Sequence, residues 1–198
     1  MEESLAEAVI REILPEMMVR AINVAARAHR NQNRKSEDLP FITHPFAVGV
    51  ILARAGCSEE VIVAGILHDT VEDTSVTLED IRREFGERVA SIVESASEPD
   101  RSLPWEKRKS HTVESVKTAP LEVKMVVCAD KLHNVRTIEG SMKEIGDGVW
   151  SRFRRGKEQQ EWYYRTLAES LSADTEHRGY RMLLTEYRKA VEELFTSR

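Results

Sequence analysis

Four titratable side chains follow an apolar run near the middle of the sequence. In AGILHDTVEDTSVTLED, residues 64–80, the groups are His68, Asp69, Glu72 and Asp73. Residues four apart share one face of a helix, so the spacing predicts a single polar patch at the end of a buried helix. Buried carboxylates pair with a cation, take up a proton or bind a metal ion. The alternative is a histidine at the helix C-terminal dipole beside acids that face water.

A second apolar helix carries another carboxylate on its buried face. Helical spacing aligns one stripe of residues: Val123, Val126, Val127, Asp130 and Asn134. The position of Asp130 in this stripe predicts that it is buried and needs a cation. A salt bridge is an alternative to a metal, but we expect Lys131 to point elsewhere on the helix. His133 is either a further ligand or an ordinary half-buried histidine.

A third histidine precedes a proline at a predicted helix start. In FITHPFAVGVILARAG, Pro45 is expected at the first helical position, which makes His44 the N-cap residue. The helix dipole would lower the pKa of His44 and keep its ring neutral, and a neutral ring can bind metal. Together, two histidines and two carboxylates form a mixed set that suits Mn²⁺, Fe²⁺ or Zn²⁺ better than Ca²⁺ or Mg²⁺. The set is His44, His68, Asp69 and Asp130.

The elements that must position these groups are helices. The 198 residues are 41% hydrophobic and 32% charged, with only 9 glycines and 6 prolines, which favours one compact all-α domain. We expect about eight to ten helices, including two that meet at Pro15, a capping box at Thr77, and a second core helix from Pro120 to Gly140. Residues 141–157 are predicted as a loop, and residues 158–196 as two more helices.

The net charge and the N-terminal sequence argue against a nucleic-acid partner and a membrane segment. A net charge of -5 argues against a nucleic-acid polymer as partner. The acidic start, MEESLAEAV, and the lack of a long apolar run predict a cytoplasmic protein without a membrane segment. Cys57 and Cys128 are expected to be free thiols.

The order of His44, then His68 with Asp69, then Asp130 resembles the HD-domain metal-dependent phosphohydrolases. The segments FITHP, ILHDTVEDT and ADKLHN, with NRKSEDLPF upstream, are similar to the hydrolase domain of the RelA/SpoT family and its stand-alone small alarmone hydrolases. The resemblance covers roughly residues 20–170. It implies a single HD-type hydrolase domain over residues 1–198, with the C-terminal helices packed on it and no room for a synthetase domain.

The resemblance also implies a reaction. It assigns one Mn²⁺ per chain to His44, His68, Asp69 and Asp130, with other divalent transition metals as alternatives. Glu72 and Asp73 would be the acidic pair that acts on a metal-activated water. The substrate would be (p)ppGpp, which loses its 3′-pyrophosphate to leave GDP or GTP.

The same resemblance implies a set of substrate contacts. Arg34 and Lys35 match a basic pair beside the guanine pocket, and Asn134 matches a polar contact near the ribose. Lys131 would steady Asp130 or a phosphate. Tyr164 matches a late tyrosine at the nucleotide, with Tyr163 as a rival.

Two basic segments have weaker assignments. WSRFRRGKEQQEWYY, which contains the cations of residues 152–157, either receives a pyrophosphate or covers the site as a lid, or is an exposed basic loop. PWEKRKSH, with Arg108 and Lys109, is interpreted as the charged face of a surface helix.

Two further functions remain open. The same site could accept another phosphorylated nucleotide, such as the 2′-phosphate of NADPH. A non-catalytic nucleotide-sensing module is the second alternative, against which Glu72 and Asp73 argue, because a binder needs only the metal ligands and the basic pair. A homodimer is possible.

Overall fold

The computed structural model describes residues 15–34, 39–98, 102–172 and 176–196. Within these ranges the chain forms ten α-helices, one of them a single turn, and one 3₁₀ helix, Gly146–Arg152. The α-helices are α1 Glu16–Ala28, α2 Thr43–Arg54, α3 Glu59–Leu67, α4 Thr70–Asp73, α5 Leu78–Phe85, α6 Glu87–Ala96, α7 Trp105–Thr118, α8 Leu121–Ile145, α9 Lys157–Ser170 and α10 Arg178–Thr196. The described β-pairing is one isolated antiparallel bridge between Asn33 and Pro40. The predicted all-α class is confirmed.

Helix α3 lies at the centre of the fold. Its residues from Val61 to Leu67 are all buried, because α1, α2, α6 and α8 pack around it. Helix α2 approaches it closely at Gly65, where a Cβ atom would lie 2.2 Å from Cδ1 of Leu52. A larger residue at Gly65 would therefore separate the two helices that carry the histidines.

Helix α8 is the second central element, and it is longer than the sequence predicts. It contacts α2, α3, α6 and α10 and continues past Gly140 to Ile145. The predicted end at Gly140 is therefore wrong, and the predicted loop over residues 141–157 is wrong for residues 141–145, which are helical; a 3₁₀ helix and an irregular stretch over residues 153–156 follow before α9 begins at Lys157. Gly140 keeps a helical backbone, whereas Gly146 has the positive φ of 58° that ends the helix.

The start of α2 also differs from the prediction. The helix begins at Thr43 with Ile42 as N-cap, so His44 is its second residue and not its cap. The backbone N–H groups of Thr43 and His44 already bond to Pro40 and Phe41. A proline fits anywhere in a first turn, whose N–H groups have no intrahelical acceptor, so Pro45 did not mark the first helical position.

Several local predictions are confirmed. Thr77 and Asp80 form the expected capping box of α5, and Gly86 ends that helix. Both cysteines are free. No helix in the described ranges has the length and apolarity that a bilayer crossing requires. The helix expected before Pro15 lies outside the described residues, as does Lys35.

Candidate metal centre and catalytic site

Three helices bring the predicted metal ligands together. His44 of α2, His68 at the end of α3 and Asp130 of α8 are buried, and their ligand atoms lie within 4.8 Å of one another. Nε2 of His44 is 3.2 Å from Oδ1 of Asp130 and 3.5 Å from Oδ2 of Asp69. Nε2 of His68 is 3.2 Å from Oδ1 of Asp69. The four residues therefore converge on one small volume.

The orientation of His68 fits a metal ion. Its Nδ1 donates a hydrogen bond of 2.7 Å to the carbonyl of Gly65, so Nδ1 carries the proton. Its Nε2 is buried and forms no hydrogen bond with any described group. When the ring is neutral, the lone pair of Nε2 is therefore directed toward the two carboxylates, which is the orientation of a histidine ligand.

The electrostatics of the cluster favour a cation. Burial disfavours charge on His68, but the facing carboxylates of Asp69 and Asp130 outweigh burial and hold the pKa of this imidazole well above its usual value. Burial also opposes the charge of Asp130, yet the Lys131 ammonium and the two histidines hold the pKa of that carboxyl well below its usual range. Without a metal, the carboxylates thus draw a proton onto His68.

Lys131 does not point away from the site. Its ammonium donates a hydrogen bond to Oδ2 of Asp130, and 18% of its side chain is exposed. The expectation that it points elsewhere on the helix was wrong because a long aliphatic stem can fold back along the helix surface.

His133 contacts the other ring nitrogen of His44. Nδ1 of His133 lies 2.8 Å from Nδ1 of His44, on the edge of that ring opposite the carboxylates. Burial lowers the pKa of His44, and the N-cap position we expected plays no part because His44 lies within the helix. Burial and the neighbouring His44 lower the pKa of His133 to about 4. Both rings are therefore neutral at neutral pH.

The acidic pair lies one turn beyond His68. Glu72 is half-buried, and its Oε1 accepts a hydrogen bond of 2.9 Å from the backbone N–H of Glu98. Burial raises the pKa of Glu72, partly offset by that hydrogen bond. The backbone carbonyl of Asp73 accepts a hydrogen bond from Gln32, whose side-chain oxygen lies 2.8 Å from Nδ1 of His29.

A polar chain connects the cluster to the segment before α2. Asn134 donates a 2.6 Å hydrogen bond to Oδ1 of Asp130 and accepts one of 3.2 Å from the guanidinium of Arg34. That guanidinium lies 5.7 Å from the ring centroid of Phe41. Two predicted substrate contacts, Arg34 and Asn134, are thus adjacent to the metal cluster.

The two tyrosines of α9 are close enough to Lys131 to interact with its charge. Tyr163 and Tyr164 are both buried, and burial raises the pKa of Tyr164 to about 12. The Nζ atom of Lys109 lies 4.8 Å from the Tyr163 ring centroid, and the Tyr163 hydroxyl has no hydrogen-bond partner among the described residues. The choice between them as a nucleotide contact stays a prediction.

One group of residues near the site was missed. Arg108 and Lys109 both form ion pairs with the carboxylate of Glu98, with 18% and 17% of their side chains exposed. The interpretation of PWEKRKSH as a purely exposed face is therefore wrong for these two residues. The sequence had no signal for them because the pairing depends on how α7 packs beside the end of α6.

The basic segment at residues 152–157 is partly neutralised. Arg155 forms a 2.5 Å ion pair with Glu106 of α7, and Lys157 lies 4.0 Å from Asp147. Both Arg152 and Arg154 are exposed. These contacts favour the exposed loop over a phosphate site.

Comparison with known proteins identifies similar sequences. The HD domain family matches residues 21–155. The guanosine-3′,5′-bis(diphosphate) 3′-pyrophosphohydrolase MESH1 of Danio rerio is 40% identical over 149 residues, which is 74% of this chain and 79% of that protein. A GTP pyrophosphokinase of Streptomyces coelicolor is 44% identical over 128 residues, which is 63% of this chain and 15% of that longer protein.

Two solved structures are similar in fold. A protein of Listeria monocytogenes EGD-e has a TM-score of 0.71 and 41% sequence identity, over 78% of this chain and 94% of the other. A structure described as a metazoan ortholog of SpoT that hydrolyzes ppGpp has a TM-score of 0.72 and 26% identity, over 88% of this chain and 94% of the other.

Proposed function

Because the chain belongs to the HD-domain family, we propose that it is a metal-dependent hydrolase that converts (p)ppGpp to GDP or GTP plus pyrophosphate. The observation that carries this proposal is the buried cluster of His44, His68 and Asp130, with Asp69 beside it, in a chain that is 40% identical over 149 residues to a 3′-pyrophosphohydrolase. The relatives supply the substrate class, and the cluster supplies a reason for hydrolytic chemistry.

The metal is the first part of the proposal. His44, His68, Asp69 and Asp130 hold one Mn²⁺, which their mixed nitrogen and oxygen ligands suit. When bound, the ion polarises phosphate oxygens and lowers the pKa of water. The buried Nε2 of His68 without a hydrogen-bond partner and the convergence of both carboxylates support this assignment.

Glu72 and Asp73 act on the attacking water. The Glu72 carboxylate accepts a proton from the water, whose oxygen forms a bond to the phosphorus attached to the ribose 3′ oxygen. The bond between that phosphorus and the 3′ oxygen breaks, the 3′ oxygen takes up a proton from solvent water as the nucleotide leaves, and Glu72 returns its proton to solvent. A base with a raised pKa is better matched to neutral pH than an ordinary carboxylate, which supports this role for Glu72. Asp73 orients the same water.

The remaining residues position the nucleotide. Arg34 and Lys35 contact the guanine, Asn134 the ribose, and Tyr164 the nucleotide from α9. Lys131 neutralises Asp130 or a substrate phosphate. The chain of hydrogen bonds from Arg34 through Asn134 to Asp130 supports this arrangement, because it joins the proposed base pocket to the metal cluster. Residues 1–198 form one domain in this proposal.

A substrate panel tests the proposed reaction. Metal-stripped protein reloaded with Mn²⁺ is offered ppGpp, pppGpp, NADPH and the nucleoside triphosphates, and released pyrophosphate and phosphate are measured separately. Pyrophosphate release from ppGpp or pppGpp alone is expected. Phosphate release from NADPH alone would assign the other substrate, and binding of ppGpp without turnover would assign the sensing role.

A further inference from the structure

The two histidines proposed as metal ligands differ in what holds their second nitrogen. Nδ1 of His68 donates to the backbone carbonyl of Gly65, a fixed acceptor inside a buried helix. Nδ1 of His44 instead faces Nδ1 of another side chain, His133, at 2.8 Å. A backbone carbonyl can only accept, whereas an imidazole nitrogen can accept or donate.

We propose that His133 is a positioning residue that accepts the Nδ1 proton of His44 and thereby presents the Nε2 lone pair of His44 to the metal. This inference rests on the metal site of the proposed function and deepens it. His133 itself does not bind the ion.

The geometry indicates that His133 orients His44 and does not itself bind the metal. A hydrogen bond between two ring nitrogens needs one proton between them, so one ring donates and the other accepts. The Nε2 atom of His44 lies 3.2 Å from Asp130 and 3.5 Å from Asp69, so this edge of the ring faces the cluster. Metal binding at Nε2 requires the proton to be on Nδ1 of His44. His133 must then accept through Nδ1 and carry its own proton on Nε2.

The position of His133 in α8 explains why this one helix can contact both ring nitrogens of His44. Asp130 and His133 are three residues apart, so they lie on neighbouring parts of one helix face. Asp130 contacts His44 at Nε2 while His133 contacts it at Nδ1, and the ring is held between them. In other proteins, substitution of a residue that hydrogen bonds to a metal-binding histidine weakens metal affinity or activity by about 10- to 100-fold.

Two substitutions test the role by metal affinity alone. His133→Leu removes the acceptor and keeps an apolar side chain of moderate size, while His133→Asn keeps a side-chain oxygen near the position of Nδ1. The probe is Mn²⁺, titrated into metal-free protein and followed by the electron paramagnetic resonance of the free ion. We expect affinity about 10- to 100-fold weaker in His133→Leu and within about threefold of the original in His133→Asn. His111→Leu, at an exposed histidine, is the matched control.

Two measurements could overturn this role of His133. Unchanged Mn²⁺ affinity in His133→Leu, with thermal unfolding of the metal-free protein unchanged, would exclude a positioning role. Nitrogen-15 spectra of the Zn²⁺-loaded protein should show a protonated Nδ1 on His44 and no metal-shifted nitrogen on His133; a metal-shifted His133 would make it a ligand instead. Neither readout uses substrate, so a failure here is distinct from a failure of the proposed reaction.

Discussion

The backbone N–H of Glu98 donates a hydrogen bond to Oε1 of Glu72, with 2.9 Å between the two atoms. Glu98 follows the end of α6, and its own carboxylate is held by Arg108 and Lys109 of α7. Two basic residues thus fix a backbone donor, and that donor fixes the carboxylate proposed to accept the proton from water.

Substitution of Glu98 should therefore affect the chemical step. In Glu98→Gln, the two ion pairs weaken and the donor to Glu72 loses its fixed position, although the backbone N–H remains. We expect kcat to fall about tenfold, as a loss of ~1.4 kcal/mol would give, while KM changes by less than about threefold. The hydrogen bond from Glu98 lowers the pKa of Glu72 by more than the Glu98 charge raises it, so loss of this hydrogen bond should move the acidic limb of the pH–rate profile to higher pH.

Glu94→Ala is the control for this experiment, because Glu94 is an exposed residue of α6, the helix that precedes Glu98. Steady-state kinetics across pH distinguish the two variants. An acidic limb that stays in place in Glu98→Gln would mean that Glu98 does not act through Glu72.

Arg34 should contribute to substrate binding more than to turnover. Its guanidinium is half-buried and hydrogen bonded to Asn134, adjacent to the metal cluster. Arg34→Ala is expected to raise KM for ppGpp roughly tenfold, since hydrogen bonds from charged donors are among the stronger ones, with kcat nearly unchanged. Arg30→Ala removes an exposed arginine four residues earlier and should leave KM unchanged. Equal effects from the two substitutions would indicate a general loss of positive charge.

The proposed bond cleavage can be followed with labelled water. Hydrolysis of ppGpp in water enriched in oxygen-18 should place the label in pyrophosphate, because the water oxygen bonds to phosphorus. Mass spectrometry of both products measures this. Label on the 3′ oxygen of GDP would show attack at carbon and would contradict the mechanism.

The metal-free protein should lose stability as the pH rises above neutrality. The pKa of His68 in the folded metal-free protein is well above its ordinary value of 6.5. A raised pKa contributes stability that is complete below the unfolded value and is lost as the pH rises through the folded value. The free energy of unfolding should therefore fall above pH 6.5, by at most about 1.4 kcal/mol per pH unit.

Urea unfolding between pH 6.5 and pH 8.5 measures this dependence. His68→Gln lacks the titrating group, so its free energy of unfolding should depend less on pH. Saturation with Mn²⁺ should also remove the fall in the free energy of unfolding at higher pH, because the ion replaces the proton as the partner of the carboxylates. A metal-free protein whose stability does not depend on pH in this range would show that His68 is not held in its charged form.

The sequence predicted the central features of the site because they depend on local periodicity. The apolar run before His68 predicted a buried helix, and helical spacing predicted that Asp130 is buried in the second one; both expectations are confirmed. The length of α8 was not predictable from Gly140, because a glycine inside a helix costs only about 1 kcal/mol and tertiary packing can offset this.

Other features depend on contacts between distant segments. Glu98 lies 26 residues from Glu72, and its pairing with Arg108 requires α6 and α7 to pack in one particular way. The spacing of apolar residues along the sequence does not predict such a contact. The direction of Lys131 was missed for a different reason, because helical position fixes the Cβ atom but not the end of a long flexible side chain.

The most direct test of the central claim is a Mn²⁺ titration of the metal-stripped protein with pyrophosphate release from ppGpp as the readout. We expect release that rises from background to a plateau at one Mn²⁺ per chain. We also expect that Glu72→Gln binds the ion with unchanged affinity and releases almost no pyrophosphate. Release that does not depend on added metal, or a Glu72→Gln protein with full activity, would contradict the account.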